Sequence, residues 1–211
     1  VLVGHNENLG WGHTVNRPDI LDIYELEVNP NDENQYKFNG KWEDFESFEV
    51  IIKIKTIGKL KHKHKQMAYW SKHGPVIKGV NSTYAVRYSN MNNLLAIEQW
   101  YKMNKANNFK DWKNAIEALS VPMFNTGYAD KEGNIYYVYG AKTPKRNTKY
   151  DWQKVLPGNT SETLWSEYEL FENLPQVLNP ESGFIQNCNS TPFQTTIGPE
   201  NPSSENFNSN Y

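Results

Sequence analysis

Cysteine is almost missing from this sequence of 211 residues, in which Cys188 is the single example. One thiol excludes an internal disulfide and any zinc site built from several cysteines. Positive and negative side chains nearly balance, and the formal net charge is only −2. Nucleic-acid-binding domains normally carry a basic footprint, so we expect no nucleic-acid partner. No apolar run reaches the roughly 20 residues that cross a bilayer, and we expect no membrane span.

Aromatic side chains are plentiful and compensate for a hydrophobic content of only 37%. The sequence has 7 Trp, 13 Tyr and 9 Phe, which supply large apolar volumes. A chain of this length can bury roughly 70% of its extended surface, either as one large domain or as a core with a smaller lobe. It opens on Val1-Leu2-Val3-Gly4, without Met and in a strand-like pattern. We therefore expect an internal fragment or a chain matured by cleavage.

A glycine-rich segment, Gly4–Asn16, precedes the first strand pattern. Its three glycines near Trp11 allow a sharp bend and a close approach of backbone amides to another group. Asp19 and Asp22 follow at a spacing of three. Most turns of this type are structural, but a second polar segment, Gln186–Phe193, raises the prospect of a site. It places amide side chains directly after the apolar Gly183-Phe184-Ile185.

Strand and hairpin patterns dominate the first ninety residues. Ile20–Val28 reads as a strand, and Asn39-Gly40 marks a tight hairpin turn. Phe48–Ile57 alternates isoleucine with lysine, which predicts a long strand with one face in water. Thr83–Ser89 predicts another strand.

Three histidines in this region invite functional interpretations. His62 and His64 could ligate a metal, but the lysines of the Lys59–Lys65 run repel a cation. An exposed, solvated hairpin is therefore favoured over a metal site. His73, beside Gly74-Pro75, could be catalytic. A turn histidine bonded to the backbone is the favoured interpretation.

The middle of the chain carries helical periodicity. Leu94–Lys105 predicts one helix with cap candidates at residues 90–93, and Phe109–Leu119 predicts a second that stops near Pro122, with Trp112 in the core. A hairpin is expected around Asp130–Asn134, followed by a loop-rich arm from Pro144. This order predicts an α+β fold with mostly antiparallel sheet and two central helices. The expected layout is a single fragment over 1–211, with a β-rich lobe at about 29–90, helices and hairpin at 91–143, and a frayed tail at 195–211.

Several motifs together resemble the penicillin acylase family, which includes acyl-homoserine-lactone acylases and lipopeptide deacylases. Gly-His-Asn-Glu-Asn-Leu-Gly-Trp-Gly-His-Thr, residues 4–14, is similar to the family signature Gly-His-Asn…Trp-Gly-x-Thr, and Asp19–Tyr24 to its Asp-x-x-Asp-Ile segment. Further similar segments follow in the family's order: Tyr69–Val76, Glu98–Tyr101, Tyr128–Ile135, Leu174–Pro180 and Gly183–Phe193. The basic hairpin and the tail lie outside the resemblance.

The resemblance implies an N-terminal-nucleophile hydrolase with an αββα sandwich. In that family a precursor cleaves itself, and the new N-terminal serine of the large (beta) subunit attacks the substrate amide, with its own α-amine as the base. That serine lies upstream of the Gly-His-Asn turn. This chain is therefore expected to be an internal piece of the large subunit without its nucleophile, and to be inactive alone. A small (alpha) subunit from the same precursor and a periplasmic or secreted bacterial location are also implied.

The resemblance assigns the oxyanion hole and the acyl pocket to particular residues. By alignment on Trp-Gly-x-Thr, the backbone N–H of Val15 is one oxyanion donor. By alignment on Asn-x-Asn-x-x-Pro, the side-chain amide of Asn189 is the other, unless it only caps backbone. His13, Trp100 and Phe124 fall at wall positions of the acyl pocket, with a supporting hydrogen-bonding role as the alternative for His13. The expected substrate is an acyl amide.

No cofactor is expected for catalysis, but the resemblance implies a structural calcium ion. Its ligands would be Asp19, the carbonyl of Leu21, Asp22 and the carbonyl of Trp152, where the family often has proline. A further carboxylate would come from the small subunit. The alternative is that the two aspartates cap a turn.

Two functions are compatible with the sequence. The first is part of an acylase that cleaves a linear amide of a β-lactam antibiotic, an acyl-homoserine lactone or a lipopeptide. The second is a non-enzymatic module whose aromatic surface, with Trp42, Trp70 and Trp165, binds carbohydrate or peptide. The ordered motifs favour the first.

Overall fold

The computed structural model describes residues 3 to 207, and the chain divides into two compact units. The first unit consists of Val1–Ile20, Ser89–Lys145 and Glu167–Tyr211, and the second of Leu21–Tyr88 and Arg146–Ser166. The predicted β-rich lobe at about 29–90 overlaps the second unit, which also takes in the loop-rich residues 146–166. Both units combine antiparallel strands with turns, and the helices belong to the first. The fold is α+β, as predicted.

The elements follow one another in this order: β1 (Gly4–His5), β2 (Leu9–Thr14), β3 (Leu21–Leu26), β4 (Val28–Asn29), β5 (Asp32–Phe38), β6 (Lys41–Asp44), β7 (Glu46–Lys55), β8 (Lys61–Ser71), β9 (Gly74–Lys78), β10 (Thr83–Tyr88), α1 (Ala96–Lys105), α2 (Phe109–Ile116), β11 (Asn125–Asp130), β12 (Ile135–Tyr139), β13 (Leu156–Pro157) and β14 (Gln176–Leu178). Short 3₁₀ turns occupy Ser161–Thr163, Phe171–Asn173, Pro192–Gln194 and Ser204–Asn206.

The first unit is built on a sheet with the strand order β1-β2-β11-β12-β14, in which neighbouring strands are antiparallel. Side chains alternate between the two faces of a strand. On β2, Leu9 and Trp11 are buried on one face, where they join a core with Met103 of α1 and Trp112 of α2. The core position predicted for Trp112 is confirmed, since its side chain is 0% exposed.

The two helices match the predicted periodicity but begin and end at different residues. Helix α2 begins after Asn108, whose Oδ1 accepts a hydrogen bond from the Asp111 N–H at 2.9 Å. It ends at Ile116, three residues before Leu119, which adopts a left-handed conformation with φ of 43°. Helix α1 begins at Ala96 without a side-chain cap, so the capping expected from residues 90–93 is wrong.

The second unit contains a sheet with the strand order β13-β3-β10-β9-β8-β7 and a smaller sheet with the order β4-β5-β6. Strand β3 alternates strictly, with Asp22, Tyr24 and Leu26 buried. The predicted hairpin at Asn39-Gly40 joins β5 to β6, and positive φ angles of 46° and 78° at these two residues fit a two-residue turn.

The hairpin of β7 and β8 differs from the sequence-based expectation. The alternation in β7 predicts one face in water, yet all ten residues of β7 are exposed. The strand also runs from Glu46 to Lys55, about two residues earlier than expected. Isoleucine alternating with lysine therefore does not mark a buried face here.

The C-terminal stretch predicted to fray begins at Thr195, which is buried together with Thr196. Asn201 accepts hydrogen bonds from both backbone N–H groups, at 3.1 and 3.0 Å. Residues 208–211 of the predicted tail lie outside the described residues. Within residues 3–207, no helix is both long and apolar enough to span a membrane.

Candidate functional site

The end of β2 brings two distant segments of the first unit together. The Val15 N–H donates a hydrogen bond to Asn189 Oδ1 at 2.8 Å, although the residues lie 174 positions apart. No strand forms over residues 185–189, so contact between these segments is made by side chains instead. The two groups assigned to the oxyanion hole are adjacent, with the amide oxygen turned towards the N–H.

Asn189 is held in an unusual backbone conformation. Its φ is 61°, in the left-handed region that asparagine tolerates better than most residues. Its backbone N–H donates to Asn187 Oδ1 at 2.9 Å, which closes a local turn. Asparagine at this position therefore serves the turn as well as the contact with Val15.

A network of amide side chains supports this contact, and the sequence analysis missed it. Asn125 is 1% exposed, and its Nδ2 donates to the Val15 carbonyl at 3.1 Å and to Asn187 Oδ1 at 3.0 Å. Asn187 Oδ1 also accepts from the Thr14 hydroxyl. The Tyr137 hydroxyl donates to Asn125 Oδ1 at 2.6 Å. The signal available in the sequence is the Asn187-x-Asn189 spacing, but nothing local to Asn125 or Tyr137 indicates their contribution.

The three residues predicted to line an acyl pocket form one cluster. The His13 ring stacks on Phe124 with 4.9 Å between ring centroids and 22° between planes. Trp100 Nε1–H donates to His13 Nε2 at 3.0 Å, and His13 Nδ1 lies 2.9 Å from Thr126 Oγ1. The register of β2 against β11 pairs His13 with Thr126, which explains this second contact.

His13 is neutral in this environment. Burial lowers the pKa of the imidazole from 6.5 to about 4, and a hydrogen bond with the Asn125 backbone offsets a part of that effect. Because Nε2 accepts from Trp100, the single proton of the neutral ring is on Nδ1 and is donated to Thr126. The cluster therefore presents aromatic surface without charge.

Phe124, a member of this cluster, adopts a strained backbone conformation. Its φ is 121°, which is rare for a residue with a large side chain. The Phe124 N–H donates to Asn16 Oδ1 at 2.8 Å, and the Gly140 N–H donates to the Phe124 carbonyl at 3.0 Å. A Cβ on Gly140 would lie only 2.8 Å from that carbonyl oxygen, so the close approach requires glycine. These contacts fix the phenyl ring beside His13.

Asp22, one of the predicted calcium ligands, has a cationic partner within the second unit. Its Oδ2 accepts hydrogen bonds from Arg146 Nε at 3.0 Å and Trp165 Nε1 at 2.6 Å. The side chains of the ion pair are almost fully buried, with 6% of Arg146 and 0% of Asp22 exposed. A buried carboxylate requires such compensation, since removing it from water is costly.

The calcium site implied for Asp19, Leu21, Asp22 and Trp152 stays a prediction, because two of its ligands would be backbone carbonyls. Leu21 lies in β3 opposite Tyr88, and the Trp152 indole donates to the Asn147 carbonyl at 2.8 Å. Asp19 belongs to the first unit. Among residues 3–207 no three His, Cys, Asp or Glu side chains are grouped as a metal site requires. Calcium takes six to eight oxygen ligands, and the Asp22 carboxylate that would supply one of them also accepts from two nitrogen donors.

The alternative functional residues are also placed by the structure. Trp165 is 4% exposed and cannot contribute to an aromatic binding surface, which leaves Trp42 and Trp70. His62 and His64 lie on the exposed hairpin, as expected. His73 is fully buried, with Nε2 3.1 Å from the Gly158 carbonyl, which confirms a backbone-bonded turn histidine. Burial lowers the pKa of His73 to about 4.

Comparison with known proteins identifies the family. The family model described as penicillin amidase matches residues 1–211. Penicillin G acylase of Escherichia coli is 30% identical over 199 residues, covering 91% of this chain and 22% of that protein. The acyl-homoserine lactone acylase PvdQ of Pseudomonas putida is 29% identical over 153 residues, covering 68% of this chain and 20% of that protein.

A solved structure shares the fold. The thermostable penicillin G acylase from Alcaligenes faecalis superimposes with a TM-score of 0.79 at 28% identity, over 91% of this chain and 34% of that one. This chain spans about a fifth of the length of the curated relatives just described. Because the family model covers every residue, the chain belongs to the penicillin amidase family of amidohydrolases.

Proposed function

We propose that this chain supplies the oxyanion hole and part of the acyl pocket of an enzyme that cleaves a linear amide to a carboxylic acid and an amine. The observation that carries the proposal is the 2.8 Å contact of the Val15 N–H with the Asn189 side chain. In amide hydrolysis negative charge develops on the carbonyl oxygen, and donors fixed at that point stabilise it. The attacking nucleophile comes from a part of the enzyme outside this chain.

Asn189 becomes a donor through a half-turn of its side-chain amide. The rotation exchanges Oδ1 with Nδ2, and both Nδ2 and the Val15 N–H must then turn from each other towards a substrate oxygen placed between them. A developing oxyanion gives the Val15 N–H a charged acceptor in place of the Asn189 oxygen. Hydrogen bonds to charged acceptors are about twice as strong as neutral ones. The exchange is therefore favoured chiefly in the transition state, which is the condition for lowering the barrier.

The acyl group of the substrate contacts the aromatic cluster of His13, Trp100 and Phe124. A neutral imidazole stacked on a phenyl ring offers apolar contact area, which suits an uncharged acyl chain. The named relatives are a penicillin G acylase and an acyl-homoserine lactone acylase. We therefore place the substrate among β-lactam antibiotics, acyl-homoserine lactones and lipopeptides with an amide-linked acyl group.

The complete enzyme is proposed to arise from a precursor that cleaves itself into a small and a large subunit in the periplasm or outside the cell. This chain is then a piece of the large subunit and has the small subunit as its partner. Support comes from its coverage of only about a fifth of its relatives. On this proposal the isolated chain is inactive.

A structural calcium ion bound by Asp19, Leu21, Asp22 and Trp152 is a further proposal, and it must take account of the ion pair that Asp22 already forms. Arg146 occupies Asp22 Oδ2. The ion would therefore share the Asp22 carboxylate with Arg146 or displace it. Its role would be to neutralise carboxylate charge, and no catalytic step depends on it.

The oxyanion assignment is tested at Val15 in the complete enzyme. Val15→Pro removes the backbone N–H, and the preceding Thr14 ends a strand, the conformation that a following proline favours. Val15→Ala keeps the N–H and removes only an exposed side chain, so it is the matched control. We expect kcat to fall about 10²–10³-fold for the proline variant alone.

Asn189 gives an independent test of the same hole. Asn189→Gly and Asn189→Ala both lose the amide donor, but only alanine adds strain at the positive φ. Both should lose kcat to a similar extent, about 10²–10³-fold, while the alanine variant alone also melts at a lower temperature. Near-normal kcat in the glycine variant would show that Asn189 is only a cap for the Val15 N–H.

A further inference from the structure

The β7–β8 hairpin ends in a two-stranded extension that the functional site does not use. We define the distal hairpin as residues 50–66. Strand β8 pairs with β9 only through Tyr69, Trp70 and Ser71, so the described residues give the distal hairpin no third strand. A two-stranded hairpin is at best marginally stable in water. A surface that covers the distal hairpin would therefore stabilise it.

The two faces of the distal hairpin differ in chemistry. Register pairs place directly opposite residues on the same face. On one face, aliphatic residues of β7 lie opposite a glutamine and two histidines of β8: Val50 with Gln66, Ile52 with His64, and Ile54 with His62. The other face carries mainly lysines: Ile51 with Lys65, Lys53 with Lys63, and Lys55 with Lys61. The hairpin is amphipathic although both faces are exposed.

The charge of the distal hairpin is of one sign. Six lysines lie between residues 53 and 65, and the sequence has no Asp or Glu from residue 50 to residue 97. Glu49 at the base accepts a salt bridge from Lys65 at 3.1 Å. The lysines nearer the tip form no salt bridge with the described carboxylates. A positive surface is thus concentrated on a chain whose total charge is −2.

The tip exposes its apolar side chains most. Ile57 is 83% exposed and Leu60 is 71% exposed, whereas the aliphatic residues of β7 are between 37% and 48% exposed. Lys59 lies between them, and Lys55 and Lys61 flank the turn. Aliphatic residues at a protruding tip with lysines on every side match the composition of segments that enter a lipid headgroup region.

We propose that the distal hairpin docks on an anionic lipid surface, with Ile57 and Leu60 among the headgroups and the lysines on the lipid phosphates. A protein partner fits less well, because protein interfaces are enriched in Tyr, Trp and Arg and depleted in Lys. Residues 50–66 contain six lysines and none of the enriched types. Lysine also protects exposed strand edges from aggregation, but that role does not explain the aliphatic tip.

Vesicle flotation with the full chain tests the charge requirement. The chain should float with vesicles of equal phosphatidylglycerol and phosphatidylcholine, and not with phosphatidylcholine alone. Binding should weaken as salt is raised, since screening shortens the range of the attraction. Changing Lys59, Lys61 and Lys63 to Gln should lower the affinity about fivefold for each lysine. Equal binding to both vesicles would overturn the proposal.

The tip requirement is tested with a matched pair of double variants. Ile57→Ser with Leu60→Ser should abolish most flotation and leave thermal unfolding unchanged, because both side chains are exposed. The control is Val80→Ser with Leu94→Ser, which removes aliphatic residues outside the hairpin that are even more exposed, at 101% and 90%. An equal loss in both pairs would refute the tip assignment. If the chain is retained on immobilised poly-L-glutamate but does not bind vesicles, the lipid proposal is wrong and the partner of the hairpin is an acidic polypeptide.

Discussion

Acidification should destabilise the first unit through His13. Burial lowers the pKa of this imidazole from 6.5 to about 4. Between these two values the unfolded chain binds the proton and the folded chain does not, so the free energy of unfolding falls as the pH falls. The stability is complete above pH 6.5 and is lost progressively down to about pH 4. Protonation at Nε2 would also remove the acceptor of the Trp100 indole bond.

The size of the effect follows from the interval between the two pKa values. Each pH unit of that interval is worth about 1.4 kcal/mol, so the contribution of His13 is about 3 kcal/mol. His73 in the second unit also has a pKa of about 4 because of burial and adds its own loss over the same range. A comparison of variants is therefore needed to isolate His13.

The assay is urea unfolding at pH 7.5 and pH 4.5 for the parent and for His13→Gln. Glutamine can still accept from Trp100 but does not titrate, so the loss between the two pH values should be smaller by about 3 kcal/mol. His5→Gln removes an exposed imidazole and is the control. An NMR titration of the His13 ring should give a pKa near 4. A ring that titrates near 6.5, or an unchanged pH dependence in His13→Gln, would refute the reasoning.

Two further predictions concern strain and charge. Phe124→Gly and Phe124→Ala both lose the ring stacked on His13, but only glycine accepts the φ of 121° without strain. The glycine variant should therefore be more stable than the alanine variant by about 1–3 kcal/mol and melt at a higher temperature. A glycine variant that is less stable than the alanine variant would contradict the strain at Phe124. Arg146→Gln removes a partner of the buried Asp22 carboxylate and should cost about 3–5 kcal/mol. If calcium binds at Asp22 as proposed, its addition should raise the melting temperature of the parent and of that variant; no response to calcium or to chelator in either protein would contradict the calcium proposal.

Local chemistry in the sequence was sufficient to predict much of the fold. Alternation of side chains and helical periodicity depend on neighbours within about one turn or two strand residues, so α2 and the Asn39-Gly40 hairpin are visible in the sequence. The glycine-rich segment predicted as a bend before the first strand instead contains strand β2. The extent of α2 is less visible, because the periodicity runs to Leu119 whereas the helix ends at Ile116. The exposure of both faces of β7 depends on which strands pair with it, and that is a property of topology.

The candidate site could be predicted only where motif order supplied long-range information. Val15 and Asn189 lie 174 positions apart, and no periodicity connects them. The supporting Asn125 and Tyr137, and the pairing of Asp22 with Arg146 across 124 positions, are likewise consequences of tertiary packing. Buried polar groups find partners wherever the fold brings them together, so such partners have no signature near either residue.

The pairing of β2 with β11 also limits how the length of this chain can vary in evolution. Because successive side chains point to opposite faces, one inserted residue between Gly10 and His13 would turn the imidazole to the opposite face. It would also reverse the direction of the Val15 N–H. An insertion in β2 would therefore disrupt this site unless a β-bulge absorbed the extra residue. The turn Asp130–Asn134 is constrained as well, because the Lys131 N–H donates to the Asn8 carbonyl at 3.0 Å and Asn179 Nδ2 donates to Asn134 Oδ1 at 2.9 Å.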